Sequence, residues 1–126
     1  MRIKDIISEG RVIRKLPGTL YHGGAKAVEQ FTIPAHGAYF TPHLAAAQNY
    51  GSVITAVSVG AKKIYKIDYS HDVDDEIIDA LFDRDYPAVA VFIAQLQAQG
   101  FDAMQTITDS EMVVVFPGTP IQVIKQ

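Results

Sequence analysis

The stretch that decides the expected fold is Gly37–Tyr50, with the sequence GAYFTPHLAAAQNY. Its first five residues, GAYFT, are mostly apolar or aromatic and predict a short strand. The pair Thr41-Pro42 predicts a helix start, because threonine caps free N–H groups and the fixed φ of proline suits the first helical turn. The alanine-rich run then predicts a helix over PHLAAAQNY that stops at Gly51. A strand followed at once by a helix is therefore expected here.

Two tyrosines mark the ends of this strand and this helix. Tyr39 and Tyr50 are separated by ten residues. Two interpretations of that spacing are open. The rings serve packing, or they form two walls of a slot for a flat group.

The remaining sequence predicts strands on both sides of a helical middle. Strands are predicted over TLYHGG, SVITAVSVG, KKIYKIDYS, FDAMQTI, EMVVVFPG and PIQVIK. A first helix opens with acidic residues near the favourable end of the helix dipole. A second begins at Pro87 and is capped by Gly100. The first is expected to place four apolar residues on one stripe, namely Ile77, Ile78, Leu81 and Phe82. Strands outnumber helices and the helices cluster, which predicts the α+β class.

Composition bounds the class of protein. A chain of 126 residues with 48% hydrophobic and 20% charged residues is expected to form one folded domain. Its net charge of −3 argues against a protein that reads a nucleic-acid backbone. The absence of cysteine excludes disulfides, thiol nucleophiles and thiolate metal sites. The longest uncharged run is too short for a membrane span, so we expect a cytoplasmic protein without membrane contact.

The first fifteen residues form a separate segment in this interpretation, and residues 16–126 form the domain. The start, MRIKDIISEG, has no apolar core of a secretory signal. Ile3, Ile6 and Ile7 fit one face of an amphipathic helix that packs on the domain. The same segment also resembles the removable leaders of proteins packaged in tailed-phage heads, with cleavage after Glu9. Both alternatives stay open.

The histidines do not predict a metal site. His22 lies between Leu20-Tyr21 and Gly23-Gly24, where it is either a core residue or a functional one beside glycines that let a ligand approach. The other three are assigned to turns, a helix start and a loop, namely His36, His43 and His71. None of the four shows the spacing of a metal-ligand pair.

One acidic residue stands before the most apolar strand of the chain. Glu111 precedes MVVVF, where it is either the last solvated residue or a functional carboxylate. Asp109, two residues earlier, would share its face of an extended strand.

The order of these features resembles a known family. LYHGG, GAYFTPHLAAAQNY and SEMVVVF resemble the three motifs of the ADP-ribosyltransferases of the diphtheria-toxin and poly(ADP-ribose) polymerase type, the His-Tyr-Glu class. The second motif is the specific one. The resemblance implies an α+β fold with a split antiparallel sheet, a few flanking helices and an NAD cleft between the sheet halves.

The resemblance also implies a set of NAD-binding residues. The nicotinamide ring would lie between Tyr39 and Tyr50, whose π faces suit a cationic ring. The Gly23 backbone would bond the carboxamide, and His22 would bond the ribose on the adenosine side. Thr41 is assigned to the same cofactor site. His22 and Tyr39 are also counted among the catalytic residues.

The third motif implies the catalytic acid. Glu111 would bond the 2′-hydroxyl of the nicotinamide ribose and stabilise the oxocarbenium-like state as nicotinamide leaves. Two positions depart from the family. Ala47 stands where many members carry a serine that bonds the carboxamide. Asp109 stands where arginine-modifying relatives carry Glu or Gln to orient the acceptor.

These features predict a mono-ADP-ribosyltransferase that uses NAD as its substrate and no metal. The alternatives are an NAD glycohydrolase and an inactive NAD-binding module of the same fold. We expect a monomer whose acceptor is a protein sooner than a nucleic acid. If the leader hypothesis holds, the protein is a phage effector, packaged in the virion and acting in the bacterial host cytoplasm.

Overall fold

Two open sheets and three helices make up the part of the chain that the computed structural model describes, residues 12–16, 18–26, 28, 30–67, 75–106 and 112–124. The strands are β1 (Val12–Ile13), β2 (Leu20–Gly24), β3 (Ala38–Phe40), β4 (Val53–Val59), β5 (Ile64–Ile67), β6 (Ala103–Thr106), β7 (Val113–Val115) and β8 (Ile121–Val123). The helices are α1 (Leu44–Gln48), α2 (Asp75–Phe82) and α3 (Tyr86–Ala98).

The strands are divided between two sheets. One has five strands in the order β1-β5-β6-β7-β3, and the other has three in the order β2-β4-β8. Paired strands are antiparallel except β5 and β6, which are parallel. Helices α2 and α3 lie between β5 and β6 in the chain, and a parallel pair needs a long crossover of this kind. The α+β class is therefore confirmed, with one parallel pair where an antiparallel sheet was expected.

The five-stranded sheet is buried on both faces. Val114 of β7 packs with Ile93 of α3 in one core cluster. Its neighbours Val113 and Val115 pack in a second cluster with Leu20 of β2. A strand covered on both faces has no solvent-facing positions, which explains why β7 is apolar throughout.

Helix α3 begins one residue before the predicted Pro87 and is closed by Gly100, as its sequence predicts. The Asp85 side chain accepts a hydrogen bond from the Ala88 N–H at 3.3 Å, and Pro87 lies in the first turn. Gly100, at φ +88°, follows the helix and donates its N–H to the last turn at 2.9 Å. The Phe101 N–H donates to the same turn at 3.1 Å. These two bonds are the glycine-closed end that the sequence indicated.

Helix α2 departs from prediction at one position. Ile77 and Ile78 are buried as predicted, but Phe82 is 72% exposed. Ala80, which was not predicted to face the core, is buried. Arg84, at φ 54°, closes the helix in the left-handed conformation. Phe82 is therefore the last helical residue, beyond the edge of the core.

The five-stranded sheet begins before the predicted domain boundary. Val12 and Ile13 pair with Tyr65 and Ile64 of β5, so residues assigned to the N-terminal segment belong to the sheet. A two-residue strand is too short to show periodicity in sequence. The leader hypothesis concerns residues 1–9, which lie outside the described residues.

Candidate functional site

The candidate site lies where the two sheets meet. Tyr21 of β2 and Thr41, next to β3, exchange two backbone hydrogen bonds of 2.8 and 3.1 Å. In a strand, the backbone groups of residues i and i+2 point to the same edge. The N–H and C=O of Gly23 therefore point to the edge that Tyr21 uses, past the last bond to Thr41. This is the backbone edge to which the family resemblance assigns a carboxamide ligand.

Helix α1 packs directly on the backbone of β2. A Cβ atom added to Gly23 would lie 1.9 Å from the Ala47 carbonyl oxygen. A Cβ added to Gly51 would lie 2.4 Å from the Gly24 carbonyl oxygen. These glycines are required because the two backbones are in contact. The Gly23 backbone and the C-terminal end of α1 are thus packed directly against each other.

Helix α1 begins later than predicted. Its first residue is Leu44 and its cap position is His43. The Thr41 hydroxyl accepts the His43 N–H at 3.2 Å, so it holds the turn before the helix. Thr41 is 6% exposed, and its assignment as a cofactor residue stays a prediction.

His22 has the surroundings of a partly buried aromatic residue. Its ring makes edge contacts with Phe31, at a centroid distance of 5.3 Å, and with Phe40, at 6.1 Å. Because side chains alternate along a strand, His22 points to the opposite face of β2 from Tyr21. Its ring packs on the Phe40 side of the sheet junction, and its assignment to the ribose stays a prediction.

Tyr39 lies in an aromatic group that sequence reasoning missed. Its hydroxyl donates to the His36 carbonyl oxygen at 2.8 Å. The His36 ring stacks on Tyr86 at a centroid distance of 4.1 Å, and the Tyr39 ring lies 6.3 Å from His36 and 6.4 Å from Tyr86. Burial raises the pKa of Tyr39 to about 12, and Tyr86 adds to the rise. The sequence offered one signal for this aromatic group, which is the position of Tyr86 beside Pro87 at a predicted helix start.

Tyr50 lies just after α1. Its ring is 71% exposed, and its N–H donates to the Ala47 carbonyl at 3.0 Å. The rings in contact with Tyr39 among the described residues are those of His36 and Tyr86. Among the described residues no ring contact joins Tyr39 to Tyr50, and the nicotinamide slot between the two rings stays a prediction.

The predicted catalytic acid lies outside the described residues, as do Asp109 and His71. The chain is described again one residue after Glu111. There, Met112 exchanges bonds with Thr106 of β6: its N–H donates to the threonine hydroxyl at 2.9 Å, and its carbonyl accepts the threonine N–H at 2.9 Å. Val113 then pairs with Phe40, the neighbour of Tyr39. The third motif therefore enters the sheet beside the second.

Two kinds of feature are absent from the residues that the structure describes. In that part of the chain, no three His, Asp or Glu side chains converge as a potential metal site. Within the same ranges, none of the helices has the length and apolar character that crossing a bilayer requires.

The sequence matches no protein-family model and no curated protein. The fold is similar to that of a solved structure described as "Crystal structure of an anti-CRISPR protein". The two share 9% sequence identity, with a TM-score of 0.54 over 90% of this chain and 96% of the other. At this identity, the likeness concerns the fold alone.

Proposed function

We propose that this protein is an ADP-ribosyltransferase that cleaves NAD and transfers ADP-ribose to a macromolecular acceptor. The observation that supports the proposal best is the adjacency of the three motif-bearing segments. Strand β2 is bonded to the β3 end at Tyr21 and Thr41. Strand β3 pairs with β7, which lies within the third motif. Segments far apart in sequence thus meet at one sheet junction.

The backbone at this junction suits a carboxamide. An amide ligand needs one acceptor and one donor side by side, and the N–H and C=O of Gly23 offer this pair on one strand edge. Ala47 contributes no side-chain hydrogen bond there. The Gly23 backbone would therefore supply the main polar contacts to the carboxamide, with the exposed Tyr50 ring available for stacking.

In the proposed reaction, the glycosidic bond between nicotinamide nitrogen and ribose C1′ breaks. The bonding electrons leave with nicotinamide, which becomes neutral. The Glu111 carboxylate would stabilise the positive charge that develops on the ribose. The acceptor nucleophile then bonds to C1′ and loses its proton.

Glu111→Gln tests the proposal. The variant is expected to bind NAD and to lose turnover by about a hundredfold or more, the usual result of removing one electrostatic stabiliser. Nicotinamide release from labelled NAD measures this loss. Glu76→Gln makes the same change at an exposed position of α2 and should leave turnover unchanged. Turnover near wild type in Glu111→Gln would contradict the catalytic assignment.

The acceptor is found in the same assay. Incubation with labelled NAD and a bacterial lysate identifies the macromolecule that carries the label. Because the structural neighbour is an anti-CRISPR protein, a purified CRISPR effector complex is a further acceptor to test. Nicotinamide release without a labelled acceptor would instead identify an NAD glycohydrolase. NAD binding without any release would identify a binding module.

A further inference from the structure

The turn before β3 is fixed by glycine. The Gly37 N–H donates to the Pro34 carbonyl at 2.9 Å, which closes a four-residue turn. Gly37 has φ +86°, and a Cβ atom there would lie 2.5 Å from Cγ1 of Val114. Only glycine meets both conditions, so the turn sits against β7 in one conformation. His36 is the third residue of this turn.

This fixed turn places the His36 ring on the first residue of α3. The ring planes of His36 and Tyr86 are inclined by 21° at a centroid distance of 4.1 Å, which is a stacked pair. Tyr86 is 41% exposed, so core burial alone does not account for its position. The Asp85 side chain caps the helix immediately before it, and the ring therefore projects from a defined helix start.

The stacked pair contacts Tyr39 in two ways. The Tyr39 hydroxyl donates its proton to the His36 carbonyl at 2.8 Å. Its ring is inclined by 27° to His36 and by 39° to Tyr86, so the three rings have similar tilts. A phenol has one proton to donate, and that proton is already used. The phenol oxygen can still accept a hydrogen bond, and the ring, with its hydroxyl held in place, can offer a face to a ligand.

We propose that His36 and Tyr86 are positioning residues that hold the Tyr39 ring in the orientation needed to bind the nicotinamide of NAD. This inference rests on the proposed function. Neither residue touches the reacting atoms. They act through Tyr39, so their loss should weaken NAD binding more than it slows the chemical step.

Tyr86→Ala tests the proposal, with Tyr86→Phe as the matched control that keeps the ring. In Tyr86→Ala, the KM for NAD is expected to rise about fivefold while kcat stays within about twofold, because uniform substrate binding is removed. Tyr86→Phe should restore wild-type values. Val91→Ala, at a 56% exposed position of the same helix, should change neither constant.

A spectroscopic measurement separates positioning from general stability. NMR of tyrosines labelled at the ring carbon, assigned with Tyr39→Phe, follows the titration of Tyr39 itself. Tyr86→Ala should move the Tyr39 midpoint down from about 12, whereas Val91→Ala should not. If Tyr86→Ala fails to fold, Tyr86→Leu fills the space without a ring and is expected to show the same changes.

An unchanged KM together with an unchanged Tyr39 titration in the ringless variant would overturn the inference. Equal damage from Tyr86→Phe would also overturn it, because the hydroxyl would then be the group that matters. If the wild-type protein binds no NAD, the proposed function itself fails. The Tyr39 titration would then still report whether the two residues hold the ring.

Discussion

Replacing Gly23 by alanine is the sharpest test of the α1–β2 contact. The added Cβ would lie 1.9 Å from the carbonyl oxygen of Ala47 and 2.9 Å from its carbonyl carbon. Both atoms belong to the backbone, so no side-chain rotation relieves the clash. Strand and helix would have to separate by about 1.5 Å to reach the 3.4 Å of an ordinary contact.

The surroundings oppose that separation. One residue further along β2, a Cβ added to Gly51 would lie 2.4 Å from the Gly24 carbonyl oxygen, so the same two segments are closely packed there as well. Ala47 is fully buried, so a shift of α1 would open its packing. Overpacking a tight site typically costs 1–3 kcal/mol, and we expect about 3 kcal/mol here. For a domain of this size, that loss lowers the Tm by about 10 °C.

Urea unfolding followed by circular dichroism measures the free energy of unfolding. Gly18→Ala is the control, since no atom of the described residues outside its chain neighbours lies within 4 Å of its added Cβ. That variant should stay within about 0.5 kcal/mol of wild type. Adding Ala47→Gly to Gly23→Ala should not restore stability, because the clash involves the carbonyl and not the methyl group. A Gly23→Ala protein as stable as wild type would refute the close backbone contact.

Two further predictions concern the tyrosines. Tyr50→Ala should weaken NAD binding by about 1–2 kcal/mol, whereas Tyr50→Phe should leave binding nearly unchanged, because the ring face makes the contact. Calorimetric titration with NAD measures the affinity of both variants. An equal loss of affinity in the two variants would exclude stacking. Tyr39 should make stability fall at high pH, because its pKa is about 12 in the folded protein and about 10 in the unfolded chain. The stabilising contribution is present below pH 10 and is lost as the pH rises to 12. After allowance for partial exposure, we expect wild type to lose about 1 kcal/mol more than Tyr39→Phe between pH 9 and pH 12 in urea unfolding. An equal loss in both proteins would contradict the raised pKa.

Local sequence signals predicted the helix ends and most strands. For α3, a proline in the first turn and a closing glycine act within a few residues of each end, so Pro87 and Gly100 were readable in sequence, whereas the Asp85 cap was found in the structure. Phe82 was misplaced because burial depends on where the helix ends relative to the core. The parallel pairing of β5 and β6 depends on the path of a long crossover, which local patterns do not specify.

The site could be predicted in part for the same reason. Gly23 and Gly51 stood out as glycines beside predicted elements, but their contacts with α1 and β2 are long-range. The stack of His36 on Tyr86 joins residues from two different parts of the chain. A periodic sequence pattern indicates which face of a helix or strand is apolar. It does not indicate which ring from a distant element packs against that face.

The joint between Tyr21 and Thr41 has a consequence for how such proteins diverge. It consists of two backbone-to-backbone bonds, and almost any amino acid at either position could make them. Substitutions accumulating over generations therefore leave the joint intact while erasing the resemblance between sequences. Positions where backbone meets backbone, such as Gly23 and Gly51, resist this drift. Relatedness among proteins built this way would remain detectable in the fold and in a few glycines after the rest of the sequence has diverged.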